Sequence, residues 1–404
     1  MLTGTNLTYT KDYNFRIVFE IIRLHGPISR AEIARNSSLT AQTVSNIVKR
    51  MLDDDLVKEG KTVKSKGRGA PSVVLEINPE GSYSIGLDFN RDHLTALLVD
   101  LTGRVIDRTF IELDQPAPDE AISLMSDAVI GLIKKKRIPN YKISGIGIGF
   151  PGPITINHGN SVTNIVNPKA FPKWKDVPVV ELLSKKINVP IFLENNASAA
   201  ALGERWYGAG RQISTFLYLL FDAGLGGGLL INGQLHDGAH SNAGEVGYLP
   251  IPNHLKTPLT DEGLPHIGQH FNLNKLYELL QKNGLTASRP DDLVTLLNEK
   301  NEILIDWLEL GIKMLIPAIV TIEYLMDPPV TIMGGRLPTP LIQYLKDGII
   351  DQIADYRVVE NHIGSDLEIG TAGEDAAALG AATLPMFELF APQTKVLNKK
   401  NGKG

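Results

Sequence analysis

No cysteine occurs among the 404 residues, which excludes disulfides and thiolate metal sites and leaves only His and carboxylate side chains as ligands for a metal. Long apolar runs are missing too. The most hydrophobic stretch, Leu304 to Met326, is interrupted by Asp306, Glu309, Lys313 and Glu323, and no apolar segment follows Met1. Neither a membrane span nor secretion is indicated, so the expected location is the cytoplasm. What is present is ordinary for a water-soluble chain: 43% hydrophobic and 21% charged residues, at a length that suits two or three domains.

The charge is unevenly placed. Residues 1–78 hold 12 Lys/Arg against 8 Asp/Glu, which leaves 28 against 37 for residues 79–404, a basic front on an acidic body. A local basic excess is expected of a part that meets phosphate.

Within that front, Phe15, Val18, Phe19 and Ile22 recur at helical spacing and predict a helix from Tyr13 to Leu24, stopped by Gly26-Pro27. Ser29 and Glu32 form a capping box for a second helix from Arg30 to about Arg35. After Asn36-Ser37-Ser38, Thr40 caps a third helix with Val44, Val48, Met51 and Leu52 facing inward. Its opposite face carries Gln42, Ser45, Asn46 and Lys49 at i, i+3, i+4 and i+7, with Thr43 and Arg50 beside them. Amides bond bidentately to adenine edges, hydroxyls take either partner, and Lys or Arg reaches phosphate or guanine, so this face suits a major groove. Any amphipathic helix has a polar side. The continuation is what points to DNA: Leu56-Val57 and Val73-Val74-Leu75 read as strands enclosing a basic wing with Lys58, Lys61, Lys64, Lys66 and Arg68. Lys66-Gly67-Arg68-Gly69 would lay an arginine in the minor groove.

Beyond Asn78, two hairpins recur. Tyr83 to Leu87 and Leu94 to Val99 flank a turn at Asp88 to Asp92; Phe216 to Phe221 and Leu229 to Ile231 flank a glycine-rich turn from Asp222 to Gly228. Each precedes helical stretches and further buried strands such as Ile143 to Ile148 and Val330 to Met333, which predicts two α/β lobes of related topology with a ligand cleft between them. A long helix from about Glu302 to Met326, interrupted at Pro317, and another from Gly373 to Leu384 are expected to tie lobes together or support a dimer.

Several motifs now stand in a recognisable order: Leu193-Glu194-Asn195-Asn196-Ala197-Ser198-Ala199-Ala200-Ala201-Leu202-Gly203-Glu204, the glycine turn ending Ile231-Asn232-Gly233, and Gly238-Ala239-His240-Ser241-Asn242-Ala243-Gly244-Glu245-Val246-Gly247-Tyr248. With the Gly149-Phe150-Pro151-Gly152-Pro153 loop and the Met333-Gly334-Gly335 turn, the chain resembles the ROK family of repressors and sugar kinases over nearly its whole length. The resemblance implies an α/β fold with an N-terminal winged helix-turn-helix and a two-lobed, actin-like (ribonuclease-H-type) ROK sugar-kinase body. The expected division is 1–78 for DNA binding, 79–196 for a first lobe completed by a C-terminal helix at about 373–388, 197–372 for a second lobe with the dimer interface, and a disordered tail at 389–404.

The resemblance also shows where this chain departs from a kinase. Phosphoryl transfer needs a base, a phosphate cradle and magnesium. The family's Glu-Asn-Asp, with Asp as base, reads Glu194-Asn195-Asn196 here, and an amide accepts no proton at working pH. The first phosphate hairpin, Asp88-Phe89-Asn90-Arg91-Asp92, lacks the family's glycines, and the second opens Asp222-Ala223-Gly224, with a carboxylate at the expected phosphates. Gly226 to Gly228 survive, but a tight hairpin needs glycine with or without a phosphate. The family's zinc site departs as well: Tyr248 replaces its His and its cysteines have no counterpart. His254, His266 and His270 match no strong ligand spacing, so neither metal nor cofactor is expected.

A sugar site is implied at Gly152, Asn195, Asn196, Glu245 and Tyr248, with Asn167 or Trp174 closing one side. For the family's second sugar-binding glutamate, Glu262, Gln269 and His270 remain open. The expected function is a transcriptional regulator, a repressor of carbohydrate-use genes, whose partners are operator DNA, a sugar or sugar-derivative effector, and further copies of itself as a homodimer or a tetramer. An active ROK sugar kinase with an attached DNA-binding domain is the alternative, and a constitutive DNA-binding protein with a purely structural body is a third.

Overall fold

The computed structural model describes every residue except 1–6, 64–71, 153, 157–163, 167–171, 252–254, 256–264, 360–361 and 394–404. The N-terminal unit has helices α1 (Leu7–His25), α2 (Arg30–Ser37) and α3 (Ala41–Asp53), with a sheet of β1 (Ile28–Ser29), β2 (Val57–Val63) and β3 (Ser72–Ile77) in the order β1-β3-β2. The helices form where capping and periodicity coincide. Ser29 and Glu32 make the reciprocal bonds of a capping box at α2, and Thr40 caps α3 through the Thr43 backbone N–H. Phe15, Val18, Phe19, Ile22, Ile33, Val44, Val48, Met51 and Leu75 close one core. Helix α1 starts six residues before the expected Tyr13.

The body follows with β4 (Tyr83–Phe89), β5 (His93–Asp100), β6 (Val105–Glu112), α4 (Pro118–Lys136), β7 (Ile143–Phe150), β8 (Ile154–Ile156), β9 (Asn164–Val166), β10 (Val177–Pro178), α5 (Val179–Ser184), β11 (Ile191–Asn195) and α6 (Asn196–Tyr207). Next come β12 (Phe216–Phe221), β13 (Leu225–Ile231), β14 (Gln234–Leu235), α7 (Ile267–His270), α8 (Leu273–Lys282), α9 (Pro290–Asn298), α10 (Glu302–Met326), β15 (Val330–Gly335), α11 (Thr339–Gln352), β16 (Asp366–Ile369) and α12 (Ala376–Phe390). The two main sheets run β6-β5-β4-β7-β11 and β14-β13-β12-β15-β16. Each is three antiparallel strands followed by two parallel ones, with the chain visiting positions in the same sequence, so the two lobes do repeat one topology.

Helix α12 lies directly on the first sheet because glycine removes the side chains between them. A Cβ on Gly86 would sit 1.9 Å from the Ala378 carbonyl oxygen, and one on Gly147 would sit 1.8 Å from that of Ala381. Helices α6 and α12 meet in the same way, since a Cβ on Gly380 would lie 1.9 Å from the Ala199 carbonyl oxygen. Among the described residues no helix is long and apolar enough to cross a membrane.

Four local expectations change. Helix α10 runs unbroken through Pro317, because the residues before and after it, Ile312 to Ile316 and Ala318 to Val320, are largely buried and hold the helix despite one lost backbone bond. Gly226 to Gly228 lie in strand β13, and the turn is only Asp222 to Gly224. Met333-Gly334-Gly335 closes strand β15 instead of forming a turn. The segment expected to be disordered from residue 389 begins with two residues of α12, and Phe390, Ala391 and Gln393 are buried; the part from 394 on lies outside the described residues.

Gly147→Ala is expected to cost about 1–3 kcal/mol through overpacking against α12. Gly131→Ala, in open space on exposed α4, should instead stabilise by about 0.5–1 kcal/mol. Urea unfolding of the two variants beside the wild type measures both.

Candidate functional site

Helix α3 places Gln42, Ser45, Asn46 and Lys49 together on one exposed face. Gln42 Nε2 donates to Asn46 Oδ1 at 3.1 Å, so the two amides are pre-aligned on the surface. Thr43 and Arg50 stand apart from that stripe. Thr43 is half-buried with its hydroxyl 2.8 Å from that of Thr40, while the Arg50 guanidinium lies 4.7 Å from the centre of the Phe15 ring and 3.5 Å from Asp54. Of the wing, Lys58 pairs with Glu76 across β2 and β3, and Lys61 is exposed. Lys64, Lys66 and Arg68 lie outside the described residues.

The second site forms where β7 and β11, parallel neighbours, end side by side at Phe150 and Asn195. Gly152 follows the first and Asn196 opens α6 after the second. A Cβ on Gly152 would lie 2.7 Å from Glu245 Oε1 and 2.8 Å from Asn195 Nδ2, so three of the five expected residues converge on one point. Asn195 Oδ1 caps α6 by accepting from the Ala197 and Ser198 backbone N–H groups at 2.8 and 3.3 Å. Asn196 Oδ1 accepts from Ala197 N–H at 3.0 Å. Burial raises the pKa of Glu245 above the usual carboxylate range, and burial followed by the nearby Glu245 raises that of Tyr248.

Tyr248 is 44% exposed, with its ring centre 5.1 Å from that of His266. His266 is held in turn by a 2.8 Å bond between Nδ1 and the Gly247 carbonyl oxygen. Gln269 and His270 stand on α7, whose Gly268 backbone packs against Gly247, which brings these two candidates beside the cleft. Glu262, His254 and Asn167 lie outside the described residues. Trp174 does not line the cleft: it is buried among Phe89 and Phe150 and donates to the Pro116 carbonyl oxygen.

The surviving glycines of β13 have a packing reason. A Cβ on Gly228 would meet the Ala197 carbonyl oxygen at 2.5 Å, and one on Gly227 would meet that of Gly244 at 2.4 Å. They seat the first turn of α6 and the segment leading to Glu245, so their presence needs no phosphate.

Between the hairpin ends lies a group that sequence reasoning left incomplete. Asp92 and Asp222 read as added negative charge, but His93 and Arg336 answer it together with that of Asp88. His93 Nε2 bonds Asp88 Oδ2 at 3.1 Å and His93 Nδ1 bonds Asp92 Oδ1 at 2.8 Å. Arg336 Nη1 reaches across from the second lobe to Asp92 Oδ2 at 3.0 Å and lies 3.4 Å from Asp222 Oδ1. Asn90 Nδ2 donates to Asp222 Oδ2 at 3.2 Å. The same Arg336 nitrogen is 2.8 Å from His93 Nδ1, and both side chains face the Asp92 carboxylate.

Burial opposes charge on His93, but the bonds to Asp88 and Asp92 outweigh it and lift the pKa to about 10. Burial raises Asp88, offset in part by His93; at Asp92 the pull of His93 and Arg336 exceeds burial and holds the carboxyl well below its usual range. Asp88, His93 and Asp222 also present ligand atoms within 4.8 Å of one another. The Arg336 guanidinium stands against the same group, 3.0 Å from Asp92 and 3.4 Å from Asp222. Arg336, directly after the Gly334-Gly335 end of β15, was the available signal.

A family model described as "ROK family" matches residues 84–386, and one described as winged helix-turn-helix DNA-binding matches residues 11–58. The chain belongs to the ROK family. The xylose repressor of Bacillus spizizenii is 32% identical over 244 residues, covering 60% of this chain and 62% of its own length. The chain therefore spans about three fifths of the curated relatives it matches. A crystal structure described as a ROK family transcriptional regulator, homolog of the E. coli Mlc protein, superposes with a TM-score of 0.75 at 19% identity, covering 97% of this chain and 100% of its own. A ROK glucokinase from Streptomyces griseus with glucose and AMPPNP gives 0.63 at 20%, covering 75% and 99%. At these identities the first structure shows the fold of nearly the whole chain and the second that of the actin-like body.

The network's pH dependence follows from its two shifted groups. His93 contributes fully below its ordinary pKa of about 6.5 and loses that contribution as pH rises toward 10. Asp92 contributes above about 4 and is lost as pH falls below that. In His93→Gln the alkaline loss should vanish: the stability gap to wild type, on the order of a few kcal/mol at pH 6, narrows toward pH 10 in urea titrations.

Proposed function

We propose that this chain is a sugar-responsive DNA-binding transcriptional regulator, a repressor of carbohydrate-use genes, working in the cytoplasm as a homodimer whose kinase-like body binds a sugar without phosphorylating it. The observation that carries the reading is the pairing, in one chain, of an exposed Gln42/Ser45/Asn46/Lys49 face with a cleft in which Asn195, Glu245 and Gly152 converge. Two α3 helices on a two-fold axis would enter successive major grooves of a palindromic operator. Amides and a half-buried carboxyl satisfy sugar hydroxyls in pairs, and Asn196 bonds a hydroxyl without accepting its proton. The His93–Arg336 network supports the non-enzymatic half, because it sets carboxylates where an ATP phosphate would have to approach. The repressor names of relatives support the direction of regulation.

Fluorescence anisotropy on DNA from upstream of the chain's own gene, at fixed salt, tests this with a panel of D-xylose, D-glucose, N-acetylglucosamine and their phosphates. Selective binding weakened by one of these is expected. Asn46→Ala should lose about 1–3 kcal/mol on the preferred sequence, whereas Lys49→Ala should weaken all sequences alike and flatten the salt dependence. Sugar-dependent ATP turnover by the wild type would replace this reading with that of a kinase.

A further inference from the structure

The candidate sugar site and the seat of the winged helix lie at opposite ends of one helix, α6. At the start of α6, the Asn195 side chain divides its work: Oδ1 caps the helix, and Nδ2 faces Gly152 and the Glu245 carboxyl. A ligand that bonds this amide therefore acts on the cap itself. The helix between is held along its length, with residues 197–204 all buried. Its 12 residues span roughly 18 Å at the standard rise.

The far end of α6 grips the DNA-binding unit. Arg23 of α1 is 6% exposed; it donates from Nη1 to the Trp206 carbonyl oxygen at 2.6 Å and lies 4.7 Å from the centre of the Trp206 ring. Glu20 fixes that guanidinium through two bonds of 2.8 Å and accepts from Arg205 Nη2 at 3.3 Å. Arg211, just beyond α6, donates to the Arg23 carbonyl oxygen. Two residues before Trp206, buried Glu204 binds the segment after β16, accepting from the Ala372 backbone N–H at 3.0 Å and from Thr371 Oγ1 at 3.4 Å. The last turn of α6 is thus bonded at once to that segment of the body and to the winged helix.

Resting on the sensor reading above, we infer that α6 is the transmission element of this protein: effector bonding at its Asn195 cap shifts the helix, and the Glu20–Arg23–Trp206 clasp passes that shift to the winged helix. Arg23 and Glu20 are positioning residues that touch neither the α3 stripe nor the cleft. Helices packed backbone to backbone move as units, because the Gly203–Gly380 contact leaves no side chain to absorb a displacement. Coupling between two sites requires such an element with a different arrangement in each state.

The test uses the full chain as wild type, Arg23→Lys and the milder Glu20→Gln. Operator affinity is read by anisotropy with and without saturating D-xylose, D-glucose or N-acetylglucosamine, and sugar binding is read separately by thermal shift. In the wild type, the active sugar should change operator affinity by about fivefold or more, the usual lower range for coupled sites. In the two variants the sugar still binds and the operator is still held, but the change falls below about twofold. A clasp with a purely structural role would lower operator affinity equally with and without sugar, leaving the ratio intact. An undiminished ratio in folded Arg23→Lys and Glu20→Gln overturns the transmission role and leaves the sensor reading standing. No sugar response in the wild type overturns the sensor reading, and this inference with it.

Discussion

Close approach of backbone to backbone, permitted by glycine, is the constraint on which the rest of this molecule depends. Gly86 and Gly147 let α12 settle onto the first sheet, Gly203 and Gly380 let α6 settle onto α12, and Gly226 and Gly228 let the second sheet receive the start of α6. Each contact removes the compliant layer of side chains that separates helix from sheet in most α/β proteins. The lobes therefore share a stiff middle, and the residues proposed for the sugar site and for the clasp are carried on its ends. Asn195 and Asn196 stand where α6 begins, and Trp206 stands where it finishes.

Electrostatics completes what packing begins. Three carboxylates stand between the two hairpin ends, and the compensating positive charge is covalently part of the chain. His93 comes from the first lobe and Arg336 from the second, so the ion pairs also bridge the lobes. A buried network of this sort adds little net stability over apolar packing, but loss of one partner strands the others.

Much of this was legible in sequence, for identifiable reasons. The winged helix declares itself through local signals, since capping boxes and helical periodicity depend on neighbours a few residues apart. The repeated hairpins, and the family motif around Asn195 and Glu245, located the lobes and the cleft. Long-range compensation was not legible. Asp92 and Asp222 looked like bare negative charge because Arg336 lies 244 residues from Asp92 in the chain. Pro317 looked like a break because a lost backbone bond is visible in sequence, and the buried neighbours that outweigh it are visible only after folding. Trp174 could have been a cleft wall or core filler, and only the placement of Phe89 and Phe150 decides it.

The seat of the winged helix has a bearing on the order in which the molecule can be made. Arg16 donates to the carbonyl oxygens of Glu388 and Ala391, and Phe19 stacks on Phe390 at 4.5 Å. The partners of Arg16 are 372 and 375 residues away, near the end of the described chain. At ribosomal speeds of about 5–20 residues per second, the winged helix is finished roughly 15–60 s before the surface it docks on exists. During that interval its helices lack Leu384, Phe387 and Phe390, the side chains of α12 that belong to the same core, so its apolar face stays open until α12 emerges.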